Sequence, residues 1–265
     1  MVKLILSDMD GTLVDDEGRL PTDFDEVMEQ LKERGVLFAP ASGRQYFSLL
    51  KTFEKYADDF VFLAENGTVV MYQGKELFSM PMDKEKAFEV LDAAQADFPV
   101  FCGKHGAYVL RSHARPEFVD ELMKYYTSYT LVDDFREIVD DVPVKVALYD
   151  YNGRAKENIL PSVQQFDGPL QVVRSSDWWI DVMSVGVSKG VAVQAVQKLW
   201  KLSPEECAAF GDYMNDAEMM DAVYYSYAME NAHPKIKERA RFSTKSNAEA
   251  GVLWGIRELM EKGLC

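Results

Sequence analysis

The chain has 265 residues, and its 29 lysines and arginines against 44 aspartates and glutamates leave a formal charge of −15. Hydrophobic residues make up 48% and charged residues 28%, an ordinary globular composition with chain enough for one large domain or two smaller ones. Nucleic acid and anionic membrane both need a basic face, so the acidic balance speaks against either as a partner, while a local group of cations still suffices for a small anion. Cys102, Cys207 and Cys265 are odd in number and far apart, and His105, His113 and His233 are equally scattered. Neither a disulfide framework nor a zinc spacing is present, and a reducing, cytoplasmic setting is expected. The apolar run over residues 2–6 is too short for a signal peptide, and no run reaches membrane-spanning length.

Residues 2–6 read as a buried strand. Thr22 and Asp25 have capping-box spacing, and Phe24, Val27, Met28 and Leu31 then recur at helical intervals until Gly35. A strand over 36–39, a helix from about Gln45 and a strand over 60–63 follow. Residues 69–80, broken at Gln73-Gly74, read as a hairpin. At the far end a helix starts near Ser188, with Ala192, Ala195, Val196 and Leu199 on one face. A strand over 207–210, a short helix, a strand over 224–228, a helix from Pro234 and a last helix over 248–260 complete the chain. Such alternation predicts an α/β fold with a parallel sheet covered on both faces.

The middle, residues 82–183, reads differently. Helices over 85–96, 116–126 and 158–165 mix with strands over 100–101, 107–110, 144–149, 170–173 and 178–182. This predicts an inserted, largely antiparallel α+β domain, with the first and last segments (1–81 and 184–265) forming one core.

Four segments of that core carry chemistry. Asp8-Met9-Asp10-Gly11-Thr12 follows the first strand, where ligands bind in open parallel sheets. One carboxylate there can act as a nucleophile while a second serves as acid and base, although an acidic surface turn has the same look. Ser42-Gly43-Arg44 follows the second strand and opens a helix, as a phosphate cradle or an ordinary cap does. Lys189 opens another helix and offers positive charge, as many solvated lysines do. Gly211-Asp212-Tyr213-Met214-Asn215-Asp216 follows a later strand with two acids and an amide, a set suited to Mg2+ or to a helix cap. Together the four make a site for phosphoryl transfer, which needs positioning and charge neutralisation.

In this order the segments resemble the haloacid dehalogenase (HAD) superfamily, with 8–13 as its first motif, Ser42 its second, Lys189 its third and 211–216 its fourth. The insert between the second and third motifs resembles the cap of subclass IIB, the Cof-type hydrolases. Glu65-Asn66-Gly67 and Asn231-Ala232 are similar to Cof-type features. The resemblance implies a Rossmann-like, three-layer core with an α+β cap over 82–183 that selects substrate. It implies Asp8 as nucleophile and metal ligand, and Asp10 as acid and base with its backbone carbonyl on the metal. Asp212 becomes the third ligand, and Asp216 orients the site from behind. Met9, Ser42, Gly43, Lys189 and Asn215 hold the phosphate, Arg44 and Asn66 are candidate substrate contacts, and the cofactor is Mg2+. Residues 180–184 depart from the Cof-type pattern, which often has Glu after the strand leucine and Pro before the lysine.

The activity so implied is hydrolysis of small phosphomonoesters, sugar phosphates or cofactor phosphates, through an aspartyl-phosphate. A sugar phosphomutase is the nearest alternative, and a phosphorylated receiver the alternative of another class. Lys104, His105, Arg111, His113, Lys145, Trp178 and Trp179 are cap candidates, each of which also reads as a solvated or core residue. Oligomeric state is not legible.

Overall fold

The computed structural model describes all 265 residues, Met1–Cys265, in two compact units. Met1–Ser79 and Ser188–Cys265 form the first, and Met80–Val187 the second.

The first unit opens with β1 (Leu4–Ser7), α1 (Phe24–Glu33), β2 (Leu37–Pro40) and α2 (Tyr46–Thr52). Val27, Met28 and Leu31 put one apolar stripe of α1 into the core, as their spacing predicts. The expected capping box is absent. Asp23 stands at the cap, and the Asp25 carboxylate instead accepts from the Tyr56 hydroxyl at 2.5 Å and Lys55 Nζ at 2.7 Å. An ion pair and a phenol outcompete the backbone for that carboxylate. Next come β3 (Val61–Ala64) and the hairpin β4 (Val69–Tyr72) and β5 (Lys75–Ser79), which form a three-stranded sheet. Phe24, Phe38, Phe53, Tyr56 and Phe60 cluster with centroids 4.5–6.2 Å apart. Each buried ring contributes about 1.5–3 kcal/mol.

The second unit contains α3 (Lys84–Ala93), β6 (Phe98–Gly103), β7 (Ala107–Leu110), α4 (Pro116–Leu122), β8 (Tyr129–Val132) and β9 (Pro143–Tyr149). It ends with the short turns α5 (Ala155–Asn158) and α6 (Leu160–Val163), then β10 (Gln171–Arg174) and β11 (Trp179–Met183). Its six strands run β10-β11-β9-β6-β7-β8. All neighbours are antiparallel except β7 and β8, which pair in parallel. Strand β8 is absent from the sequence reading because Tyr129 and Thr130 at this edge lack a clean apolar alternation. Helix α4 also stops four residues early. The chain then turns and carries the Tyr126 hydroxyl to Cys102 Sγ at 2.9 Å.

The chain returns to the first unit with α7 (Lys189–Trp200), β12 (Cys207–Gly211), α8 (Ala217–Ala222), β13 (Tyr225–Ala228), α9 (Pro234–Arg239), β14 (Phe242–Ser243) and α10 (Gly251–Glu261). The buried face of α7 holds Lys189, Ala192, Val193, Val196 and Gln197, while Leu199 is exposed. The expected face is thus rotated. A buried Lys189 demands this, because it aims the helix start inward. The main sheet runs β14-β13-β12-β1-β2, wholly parallel. Its register aligns Ser7 with Phe210 and Pro40, so the loops carrying Asp8, Ala41 and Asp212 leave one edge together. A single parallel bridge, Ala41 to Leu63, continues the sheet toward β3. No helix is long and apolar enough to cross a membrane.

Candidate active site

The site lies at the carboxyl edge of the parallel sheet of the first unit. Asp8 follows β1 and is nearly buried, its side chain 9% exposed. Lys189, the first residue of α7, is wholly buried and donates to Asp8 Oδ1 and, at 2.6 Å, to Asp216 Oδ1. The other oxygen of Asp216 accepts the backbone N–H groups of Asp212 at 3.0 Å and Tyr213 at 3.1 Å. Asp216 thereby ties the fourth segment to the lysine.

Oxygens of Asp8, Asp212 and Asp216 lie within 4.8 Å of one another. Three carboxylates around one ammonium leave surplus negative charge. Burial pushes the Asp8 carboxyl up to about 8; Lys189 opposes this, and Asp216 and Asp212 add to it. Burial also raises the Asp212 carboxyl, against the Thr12 hydrogen bond that lowers it. For Lys189 burial works against the charge, but Asp216 and Asp8 outweigh it and hold the group above the ordinary lysine range. A divalent cation fits such a set. The donors are hard oxygens, and the cation would neutralise the charge that otherwise keeps a proton on Asp8.

Asp10 stands apart from this cluster. Its side chain is 63% exposed, and both its oxygens meet the Arg44 guanidinium, Nε to Oδ2 at 3.2 Å and a terminal nitrogen to Oδ1 at 2.5 Å. Arg44 is therefore occupied by the acid–base candidate. Ser42 is buried, and its hydroxyl accepts the Arg44 N–H at 3.1 Å. The Met9 side chain is buried, and its carbonyl accepts N–H groups of Thr12, Leu13 and Val14 in the turn after β1.

The segment 65–67 laces the second motif to the third. The Glu65 and Asn66 N–H groups donate to the Arg44 and Ser42 carbonyls at 3.0 and 2.9 Å. Asn66 Oδ1 accepts from Asn215 Nδ2 at 3.3 Å, and the Asn66 amide group lies over Gly43. Gly67 has φ +92°, and a Cβ there would stand 2.4 Å from the Ser188 carbonyl oxygen. Only glycine lets this turn press against the start of α7.

Two positioning residues have no role in the sequence reading. The Thr12 hydroxyl donates to Asp212 Oδ1 at 2.9 Å, and Asn231 Nδ2 donates to the Gly11 carbonyl at 2.7 Å. Thr12 lies inside the first motif and Asn231 inside a noted Cof-type pair, so the signal was their place in a motif.

The remaining candidates all belong to the second unit. Arg111 pairs with Asp133 at 3.2 Å, His113 Nδ1 meets the Ser112 hydroxyl at 3.0 Å, and Lys145 lies 3.7 Å from Asp181. Trp179 packs in the sheet against Tyr149, and Trp178 is exposed. Lys104 and His105 form part of the turn after β6.

A family model described as haloacid dehalogenase-like hydrolase matches residues 5–256. The 5-amino-6-(5-phospho-D-ribitylamino)uracil phosphatase YbjI of Escherichia coli is 31% identical over 266 residues, covering 95% of this chain and 94% of the relative. HMP-PP phosphatase of Klebsiella pneumoniae is 29% identical, covering 89% and 87%. Among solved structures, the HAD subclass IIB sugar phosphatase BT4131 superposes with a TM-score of 0.73 over the whole of both chains at 21% identity, a likeness of fold.

Proposed function

Since the chain belongs to the haloacid dehalogenase-like hydrolases, and its relatives are phosphatases, we propose that it is a Mg2+-dependent phosphomonoesterase working through an aspartyl-phosphate on Asp8. The carrying observation is the contact of Asp8 with buried Lys189, beside Asp212 and Asp216, with Asp10 two residues away.

Asp8, Asp212 and the Asp10 backbone carbonyl would hold the cation, with Asp216 behind them. Bound there, Mg2+ supplies positive charge to the phosphoryl oxygens. The chain does the rest. An Asp8 carboxylate oxygen attacks phosphorus as the bond to the leaving oxygen breaks, and Asp10 gives that oxygen its proton. Asp10, now a carboxylate, takes a proton from water. The water oxygen bonds to phosphorus, the bond to Asp8 breaks, and inorganic phosphate leaves. Lys189 stabilises negative charge beside Asp8, while Ser42, Asn215 and the Met9 and Gly43 amides bind the phosphate.

Asp10 must leave its pair with Arg44, or receive a proton within it, before the first step. The two contacts from Arg44 hold the Asp10 carboxyl in position to meet the leaving oxygen and then water.

The substrate we propose is a small phosphorylated metabolite with a hydroxylated leaving group, and the second unit as the part that selects it. In support, relatives are named for a ribityl compound and for HMP-PP, and BT4131 for sugar phosphates. Three buried cysteines, none in a disulfide, suit a reducing cytoplasm. Phosphate release from a panel of sugar, alditol, nucleotide and cofactor phosphates tests the reading, with Mg2+ and with chelator. We expect metal-dependent release, lost in Asp8→Asn and Asp10→Asn. Undiminished release from Asp8→Asn would remove the assigned nucleophile.

A further inference from the structure

The loop that carries Asp10 is held by two asparagines from the far end of the chain. Asn231 Nδ2 donates to the Gly11 carbonyl at 2.7 Å. Asn247 Nδ2 donates to the Val14 carbonyl at 3.2 Å and to Asp16 Oδ1 at 3.1 Å. Asp10 itself forms a backbone bridge with Val14, so the two held carbonyls flank it in the loop. The asparagines are also joined to each other, because the Asn247 N–H donates to Asn231 Oδ1 at 3.1 Å. Both ends of the Asn231 amide are therefore in use, one as donor and one as acceptor, and this fixes which way it faces.

Each asparagine stands on a braced backbone of the first unit. After β13, the Met229 N–H donates to the Gly211 carbonyl at 3.2 Å and the His233 N–H to the Asp212 carbonyl at 2.8 Å. Asn231 thus lies between two bonds to the segment that carries Asp212. Asn247 is 7% exposed and opens the turn 247–249. The Gly251 N–H closes that turn on the Ser246 carbonyl at 3.0 Å. A Cβ on Gly251 would stand 2.1 Å from the Lys245 carbonyl oxygen, so glycine lets the chain fold back this closely.

Stability does not account for the bond to Gly11. It lies at the surface, where water serves a carbonyl nearly as well as an amide does. Water leaves the carbonyl free to turn, whereas the braced amide holds one orientation of the residue next to Asp10. Asp8 has no need of such a hold. Its N–H donates to the Phe210 carbonyl at 3.0 Å, and Lys189 meets its carboxylate. The Asp10 side chain is 63% exposed and meets Arg44 alone, so its placement depends on the loop beneath it.

We propose that Asn247, directly and through Asn231, sets the position of Asp10 for proton exchange with the leaving oxygen and with water. The inference rests on the phosphomonoesterase reading above. Both asparagines are positioning residues that act through loop 10–14.

The test compares kcat/KM for an alkyl phosphate with kcat/KM for p-nitrophenyl phosphate, at saturating Mg2+, in Asn231→Ala and Asn247→Ala. Nitrophenolate leaves with little need of a proton, while an alkoxide needs the one that Asp10 gives. The ratio of alkyl to nitrophenyl kcat/KM should fall about tenfold in both variants, as expected when general acid catalysis is impaired. Asn231→Ala removes an exposed side chain and leaves the core intact. Asn247→Ala takes the partner from a carbonyl in the loop, so its melting temperature is read beside its rates. An active Asn231→Ala protein with an unmoved ratio, whether both rates hold or both fall alike, would make the asparagines merely structural. That result would overturn the inference and leave the phosphatase intact. A wild type that releases phosphate from neither ester would overturn both.

Discussion

The ammonium of Lys189, wholly buried, stands 2.6 Å from Asp216 Oδ1, and the same ammonium meets the proposed nucleophile. Asp216 thereby fixes the lysine that sets the charge around Asp8. This is a buried network in which each partner compensates another.

Removing the lysine should break that balance. Lys189→Ala leaves two buried carboxylates without their cation, and loss of one partner in a buried pair costs about 3–5 kcal/mol. Thermal unfolding should move well down in the metal-free protein, and phosphate release should disappear. An unchanged melting temperature would show that the carboxylates do not depend on Lys189.

The raised Asp8 carboxyl has a signed consequence. Between the ordinary value of 3.8 and about 8, the folded protein keeps a proton that the unfolded chain has released. Stability of the metal-free protein should therefore fall as pH rises through that window, and Asp212 acts in the same sense. Added Mg2+ should flatten the slope by favouring the ionised carboxylates. Melting curves at several pH values, for wild type and Asp8→Asn, check this. A wild-type slope equal to that of Asp8→Asn would contradict the assignment to Asp8.

Thr12 holds Asp212 in place through a 2.9 Å hydrogen bond. Thr12→Val keeps the shape and removes the donor. The Mg2+ concentration giving half-maximal activity should rise about tenfold, in line with the loss of partners behind other metal ligands. Equal metal dependence would leave Thr12 with no part in holding Asp212.

Arg44 fixes the carboxylate of Asp10 through two contacts. In Arg44→Ala, release from alkyl phosphates should drop about tenfold or more relative to p-nitrophenyl phosphate, whose leaving oxygen needs little protonation. Equal losses on the two esters would point instead to a contact between Arg44 and substrate.

The chemistry was legible where it lies in contiguous runs. Residues 8–12 and 211–216 each pack several functional groups into one turn, and strand alternation showed that both turns follow strands of one sheet. Fixed chemistry also carried the third segment, where the buried Lys189 follows a Ser188 cap that accepts the Val191 N–H. Contacts between distant residues were not legible. Thr12 and Asp212 are 200 residues apart, Asn66 and Asn215 149, and no spacing rule joins them. Asp25 misled because a capping box and a tertiary ion pair use the same residue type. Leu199 misled because the burial of Lys189 turned α7 away from its most apolar stripe. Strand β8 stayed hidden because an edge strand needs only one partner and only partial burial.

The most direct measurement is a rapid acid quench during turnover, followed by mass analysis of the peptides. A phosphoryl group on Asp8, absent when chelator is present, is the result this account predicts. Phosphate release at full rate with the phosphoryl group on another residue, or on none, would contradict it.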